Sequence, residues 1–150
     1  MAKALRNFIL YFFLAALVTG CASSLTVDKD PSIQLSTYDT FYIVHQPKDK
    51  RGVEKLIAAE LTIMGKTATS GAAPEDPEAY DALVTYVDKW SWDITTYMLE
   101  LKVELRDPRT NYVIANGHSH RTSLKRKSPE GMVKEVLTHM FSTQEKEIVR

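Results

Sequence analysis

The sequence predicts an α+β fold: a two-layer sandwich in which two amphipathic helices cover one face of a largely antiparallel sheet of three to five strands. Two observations predict it. Residues 97–105 alternate apolar and polar side chains, which is typical of a strand with one buried face. Residues 53–64 and 132–141 instead repeat apolar side chains at helical spacing. Packing the helices against the sheet would bury all three apolar faces.

The first half of the domain predicts a strand, a helix and a short returning strand. Residues 40–45 are rich in aromatic and β-branched side chains, which indicates a strand. The amphipathic helix over residues 52–64 follows, with Asp49 as a candidate cap at its start and Gly65 at its end. Residues 66–70 are a candidate edge strand.

The second half predicts a three-strand meander and a final helix. The strands are residues 80–93, 94–106 and 112–122. The turn at residues 107–111 is too short for a crossover, so the strands on either side of it should be antiparallel. Ser128-Pro129-Glu130 then indicates a helix start, because a capping hydroxyl precedes a proline at the first helical position.

The chain begins with the pattern of a secretion leader over residues 1–20. Lys3 and Arg6 precede an uninterrupted apolar run over residues 8–18. That run is too short for a membrane-spanning helix, which needs about 20 apolar residues, but it has the length of a signal-peptide core.

The leader ends in Val18-Thr19-Gly20-Cys21, which contains the only cysteine of the chain. This motif resembles the lipobox of bacterial lipoproteins. The resemblance implies transfer of diacylglycerol to the Cys21 thiol, cleavage between Gly20 and Cys21, and acylation of the new amino group. We expect no cofactor besides this covalent anchor, through which Cys21 contacts membrane lipid. Ala22, where inner-membrane lipoproteins tend to carry aspartate, resembles lipoproteins of the outer membrane, so we expect the periplasmic face of that membrane.

Two parts follow the leader. Residues 21–37 are rich in Ser, Thr and Asp and predict a flexible, lipid-anchored tether, and residues 38–145 predict a single α+β domain. In its layout, and in no residue motif, the domain resembles small envelope lipoproteins such as the lipopolysaccharide-assembly lipoprotein of the LptE kind and the auxiliary lipoproteins of ABC-type transport systems. The lipobox, the polar tether and a compact domain without a catalytic constellation lead us to expect a non-enzymatic adaptor or accessory in envelope assembly or transport, with an envelope protein as partner.

The charge balance excludes nucleic acid as a partner. The 19 acidic residues match 19 basic ones, two of which, Lys3 and Arg6, belong to the leader. Proteins that bind nucleic acid need surplus positive charge to displace counterions from phosphates. Positive charge is in local excess at four residues near one another in the sequence: Arg121, Lys125, Arg126 and Lys127. Such a group is more typical of a solvated loop than of contact with anionic lipid headgroups.

His118 and His120 are weak candidates for a metal site, because residues two apart on a strand face the same side. A third ligand would be required, and His45 or His139 would have to reach the pair by folding. The sequence favours a polar strand end without a metal. A metal-dependent hydrolase built on this pair is therefore an alternative function, as is a carrier of lipid or another small ligand held between helices and sheet.

Two further groups of residues are candidates for a site. Acids at strand ends usually act as caps, which disfavours an acid–base pair among Asp81, Asp88 and Asp93. Three aromatic residues would share one face of an extended strand, where they either close the core or form an exposed patch for a protein or lipid partner: Tyr86, Trp90 and Trp92.

Overall fold

The computed structural model describes residues 23–142. The predicted leader, Gly20 and Cys21 lie outside this range. No helix within residues 23–142 is long and apolar enough to cross a bilayer. The strands are β1 (Ser24–Lys29), β2 (Thr40–Val44), β3 (Thr67–Gly71), β4 (Ala82–Trp92), β5 (Thr96–Arg106) and β6 (Val113–His120); the helices are α1 (Val53–Ile63) and α2 (Pro129–Phe141).

The six strands form one mixed sheet in the order β1-β6-β5-β4-β2-β3. The predicted α+β class is confirmed, but the sheet has six strands instead of three to five and is not largely antiparallel. β2 runs parallel to both of its neighbours, β3 and β4, whereas all other pairs are antiparallel. The parallel pairing of β2 and β3 follows from α1, because a helix between two strands carries the chain back to the end where the first strand began.

β1 corrects the prediction of a flexible tether over residues 21–37. It pairs with β6 from Ser24 opposite His120 to Lys29 opposite Ala115. Leu25 and Val27 pack against the core, whereas the residues between and beside them are exposed. Leu35, in a 3-10 turn over Leu35–Thr37, is also buried. The folded domain therefore begins well before residue 38. The sequence of β1 looks like a polar tether because an edge strand with one solvent-exposed face needs apolar side chains on the other face only.

The predicted meander is present, but a bulge breaks the alternation expected in β5. Lys89 lies opposite Glu100 and Trp90 opposite Met98, so that Leu99 is an extra residue on β5. Met98 is consequently buried, and Leu99 is only half-buried. The strict alternation expected from the sequence places these two side chains the wrong way round, because an extra residue shifts the pleat by one position.

Both helices pack on one face of the sheet, and their apolar side chains fill the space between the layers. Within residues 23–142 the core combines three residues of α1 and five of α2 with strand residues such as Phe41 and Leu101. Gly117 on β6 lets α2 approach closely. A Cβ atom at this position would lie 2.6 Å from Val136 Cγ1 and 2.8 Å from Met140 Sδ.

Replacing Gly117 with alanine should destabilise the fold by about 1–3 kcal/mol, because the added methyl group overpacks the contact between β6 and α2. Urea unfolding followed by circular dichroism measures this change. Gly131→Ala is the matched control: its Cβ would lie 3.3 Å from the Ser128 hydroxyl, and the gain in helix propensity of up to about 1 kcal/mol offsets that contact. Equal stability of the two variants would contradict this account of Gly117.

Candidate functional sites

A polar cluster lies where β2 leads into α1, and we define it as His45, Asp49, Glu54 and Tyr86. His45 directly follows β2, Asp49 lies in the loop before α1, and Glu54 is in the first turn of that helix. Tyr86 projects from the inner face of β4 and is 4% exposed. The cluster therefore joins the sheet to the beginning of α1.

Asp49 caps the helix. Its Oδ1 accepts hydrogen bonds from the backbone N–H groups of Arg51 (2.7 Å) and Gly52 (3.0 Å), and its Oδ2 accepts one from Val53 (2.6 Å). The Tyr86 hydroxyl donates to the same Oδ2 atom over 2.8 Å. Gly52 has φ of 73°, a left-handed conformation that glycine adopts without strain. Gly52 is the N-cap residue and has no side chain to offer, so Asp49, the cap predicted from the sequence, serves the helix from three residues earlier by accepting from Val53, its first residue.

Tyr86 is the centre of the remaining contacts in the polar cluster. Its hydroxyl lies 3.3 Å from Glu54 Oε2 and accepts a hydrogen bond from the backbone N–H of Gln46 (3.2 Å). The Gln46 side chain donates to the Tyr86 carbonyl oxygen (2.8 Å). His45 Nδ1 lies 3.5 Å from Glu54 Oε1. Each buried side chain of the polar cluster thus has a polar partner, as buried polar groups require.

These contacts shift two pKa values in opposite directions. Burial alone would raise the pKa of Asp49, but the hydrogen bonds from Arg51, Tyr86 and their neighbours stabilise the carboxylate and lower its pKa to about 2. Burial raises the pKa of Tyr86 well above its usual value, and the negative charges of Asp49 and Glu54 add to the increase. Tyr86 therefore remains a hydrogen-bond donor at any physiological pH.

Three members of the polar cluster have side chains that commonly bind metal ions: His45, Asp49 and Glu54. Within residues 23–142 they are the one such group whose ligand atoms lie within 4.8 Å of one another. Asp49, however, already accepts four hydrogen bonds, which is about the full capacity of a carboxylate. A cation would have to break the helix cap. The arrangement therefore fits a structural link between β4 and α1 better than a metal centre.

Asp49→Asn should lower the free energy of unfolding by about 2 kcal/mol near neutral pH, because the amide loses the charge and one acceptor oxygen of the cap. The folded-state pKa is about 2 and the unfolded one is about 3.9, so this stabilisation is complete above about pH 4 and is lost as the pH falls through 2. Urea unfolding at a series of pH values should therefore show that the difference in free energy of unfolding between wild type and variant becomes smaller as the pH falls. Asp28→Asn, on the exposed face of β1, is the control. If the loss of unfolding free energy in Asp49→Asn did not change with pH, the proposed role of the Asp49 carboxylate at the start of α1 would be refuted.

The structure does not assemble the metal site considered for His118 and His120. Both lie on the sheet face opposite the helices, where His118 Nε2 is 3.0 Å from Glu100 Oε1. That carboxylate also pairs with Lys89 over 2.7 Å. His139 is exposed on α2, and its Nδ1 lies 2.8 Å from a backbone oxygen of the same helix. Among residues 23–142 neither His45 nor His139 joins the pair as a third ligand.

The three candidate aspartates are held in separate contacts. Asp81 Oδ2 accepts backbone hydrogen bonds at 2.8 Å from two residues at the start of β2. Asp88 accepts a hydrogen bond from the Trp90 indole at 2.5 Å. Asp93 pairs with Arg126. Since each carboxylate has its own structural partner, the geometry favours the capping and surface roles over an acid–base pair.

The structure separates the aromatic residues that were considered as one patch. Tyr86 is buried in the polar cluster. Trp90 is half-buried against the core, and the Arg51 guanidinium lies 4.2 Å from the centre of its ring. Trp92 alone of the three is largely exposed, at 74%. Of the two alternatives for these residues, Tyr86 and Trp90 help to close the core beside the start of α1, and Tyr86, Trp90 and Trp92 do not form a single exposed patch.

Trp92 instead belongs to a different apolar surface, which we call the apolar end and define as Trp92, Ile94 and Leu124. Ile94 is 89% exposed and Leu124 is 95% exposed. Trp92 and Ile94 lie at the turn between β4 and β5, and Leu124 lies in a 3-10 turn over Ser123–Lys125. Ile94 and Leu124 are isolated apolar residues without periodicity, so no sequence pattern connects them with Trp92.

Arg126 holds these two segments together. Its Nη1 donates to Thr95 Oγ1 over 2.6 Å, and its guanidinium also pairs with Asp93. The same group lies 4.5 Å from the centre of the Tyr97 ring, and its Nε donates to the Ser123 carbonyl oxygen. Hydrogen bonds from Ser123, the Ile94 backbone and Arg126 lower the pKa of Asp93 to about 2, so the carboxylate stays charged. The apolar end is consequently carried by two mutually fixed turns.

The exposed face of the sheet carries charges in compensating pairs. Glu104 on β5 lies between Lys102, at 2.6 Å, and Arg106. These residues border an open depression of about 450 Å³, which is also lined by Thr85 and Val87 of β4. With its charges matched, this face has no strong excess of either sign in the region of the depression.

Comparison with known proteins relates the chain to others through its fold. No protein-family model and no curated protein sequence matches it. Among solved structures, the PelC dodecamer from Paraburkholderia phytofirmans is similar, with a TM-score of 0.57 and 14% identity over 82% of this chain and 100% of that chain. A DUF4136 family protein from Bacteroides thetaiotaomicron has a TM-score of 0.50 and 10% identity over 81% of this chain and 95% of that chain. At these identities the likeness establishes a shared fold.

Proposed function

We propose that the chain is a lipid-anchored protein of the bacterial envelope and that its domain is a non-enzymatic adaptor or accessory in envelope assembly or transport. The observation that carries the proposal is the motif Val18-Thr19-Gly20-Cys21 at the end of an apolar leader. Several acyl chains on Cys21 would make a stable anchor, since each buried methylene contributes about 0.8 kcal/mol. We propose the outer membrane as its location because Ala22 occupies the position where inner-membrane lipoproteins tend to carry aspartate.

The use of the polar side chains supports an adaptor over an enzyme. In the described part of the chain the most buried carboxylates, Asp49 and Glu54, are held by the cap of α1 and by Tyr86. Glu104 lies between two cations, and Glu100 between Lys89 and His118. A general acid or base works best with a pKa near the operating pH, whereas the partners of Asp49, Glu100 and Glu104 lower the pKa of each carboxyl.

The two alternative functions receive less support. A hydrolase built on His118 and His120 would need a third metal ligand, which the geometry of residues 23–142 does not supply. A carrier would need space between the helices and the sheet. In the described part of the chain that space is filled by fully buried side chains, and Gly117 is in close contact with α2.

Cys21→Ala should block lipid attachment and processing, because the thiol is the proposed acceptor of diacylglycerol. In cells fed an alkyne fatty acid, the wild-type protein should become labelled and the variant should not, and the variant should migrate as the longer precursor. Gly20→Ala keeps a small residue at the cleavage site and should be processed like wild type. Equal labelling of wild type and Cys21→Ala would exclude lipidation at this residue.

Ala22→Asp should move the processed protein from the outer to the inner membrane, because lipoproteins with aspartate after the cysteine tend to be retained there. Separation of the two membranes on a sucrose gradient, followed by immunoblotting, measures the distribution. Ala22→Ser is the control and should leave the protein in the outer membrane. If wild type and Ala22→Asp were both found in the inner membrane, the proposed outer-membrane location would be wrong.

A further inference from the structure

The position of the apolar end relative to the start of the domain follows from the strand register. Ser24 lies opposite His120, His120 opposite Glu100, and Glu100 opposite Lys89. The beginning of β1 is therefore at the same end of the sheet as the turn between β4 and β5 and the segment after β6. The turn between β5 and β6, which carries the exposed Tyr112, is at the opposite end.

This register places the proposed anchor next to the apolar end. Cys21 precedes Ser24 by three residues, and three residues of fully extended chain span at most about 10 Å. A domain anchored through Cys21 cannot stand far from the bilayer. The end of the sheet that it presents to the lipid is the one where Trp92, Ile94 and Leu124 are exposed.

The charges around the apolar end are complementary to an anionic lipid surface. Lys125 is exposed directly beside Leu124. The loop between β2 and α1 adds two exposed lysines, Lys48 and Lys50, and leads into Arg51, which stacks on Trp90 of β4. Clustered basic residues are attracted to anionic headgroups, and tryptophan favours the boundary between headgroups and acyl chains.

We propose that the apolar end docks on the phospholipid surface, with Trp92, Ile94 and Leu124 entering the boundary between headgroups and acyl chains and the nearby lysines facing anionic headgroups. This inference rests on the proposed anchor at Cys21 and adds an orientation to it. The sheet and both helices then stand on the bilayer by one end, and the turn between β5 and β6 points away from it. Arg126 matters to this surface because it fixes the two turns that carry it.

Spin labels test the orientation directly. Acylation blocks the thiol of Cys21, so a cysteine introduced into the lipidated full-length protein can be labelled uniquely. Leu124→Cys places a label at the apolar end, and Tyr112→Cys, the matched control, places one at the opposite end. In vesicles of phosphatidylethanolamine and phosphatidylglycerol, the ratio of collisions with oxygen to collisions with a water-soluble nickel complex should be at least about twofold higher for the Leu124 label, because interfacial side chains lie about 5–10 Å below the headgroups.

A second measurement uses the natural tryptophans. Brominated phosphatidylcholine added to the same vesicles should quench much of the wild-type emission, and Trp92→Phe, which leaves only Trp90, should lose that quenching. Vesicle flotation separates the possible failures. A protein that does not float with the vesicles refutes the anchor and the proposed function. If the protein floats but both labels contact water and Trp92 is not quenched, the docking alone is overturned. An immobilised Leu124 label without preference for oxygen also overturns the docking, because the label is then held by protein and not by lipid.

Discussion

Burial of one sheet face beneath two helices is the constraint on which the rest of the structure depends. α1 and α2 lie on the same side, and their apolar side chains share one core with the strands. Gly117 permits this arrangement because the space a side chain would need is occupied by Val136 and Met140. The opposite face is consequently free to carry charged pairs, and the ends of the strands are free to carry the loops in which Asp49, Trp92 and Leu124 lie.

Much of this fold can be predicted from the sequence because its strongest signals are periodic. The alternation in β5 and the helical spacing in α1 and α2 reflect one-sided burial, which periodicity records directly. The extra residue at Leu99 could not be predicted, because a bulge preserves composition while changing which side chains face the core. β1 is not predictable from the sequence for a different reason. Its only apolar residues are Leu25 and Val27, and the polar residues around them are equally typical of a loop.

The candidate sites were harder to predict because they depend on contacts between distant parts of the chain. Asp49 could be recognised as a cap from local sequence, but its bond to Tyr86 joins residues on separate elements. The same bond explains why Tyr86 is not an exposed aromatic residue. The apolar end depends on Arg126, which connects the segment after β6 to the turn between β4 and β5. No local pattern around Leu124 or Ile94 indicates that they belong to the same end of the molecule.

The pairing of β1 with β6 also sets the order in which the domain can be completed. β1 is the first strand of the described sheet to be synthesised, whereas its partner, β6, is the last. Strands β2 to β5 can pair with one another before β6 has been made, whereas β1 remains unpaired until then. The sheet can therefore close at β1 only after β6, the last of its strands along the chain, has been made. Of all strand pairs in the described sheet, β1 and β6 therefore have the largest sequence separation, and their pairing has the largest loop-closure entropy to overcome.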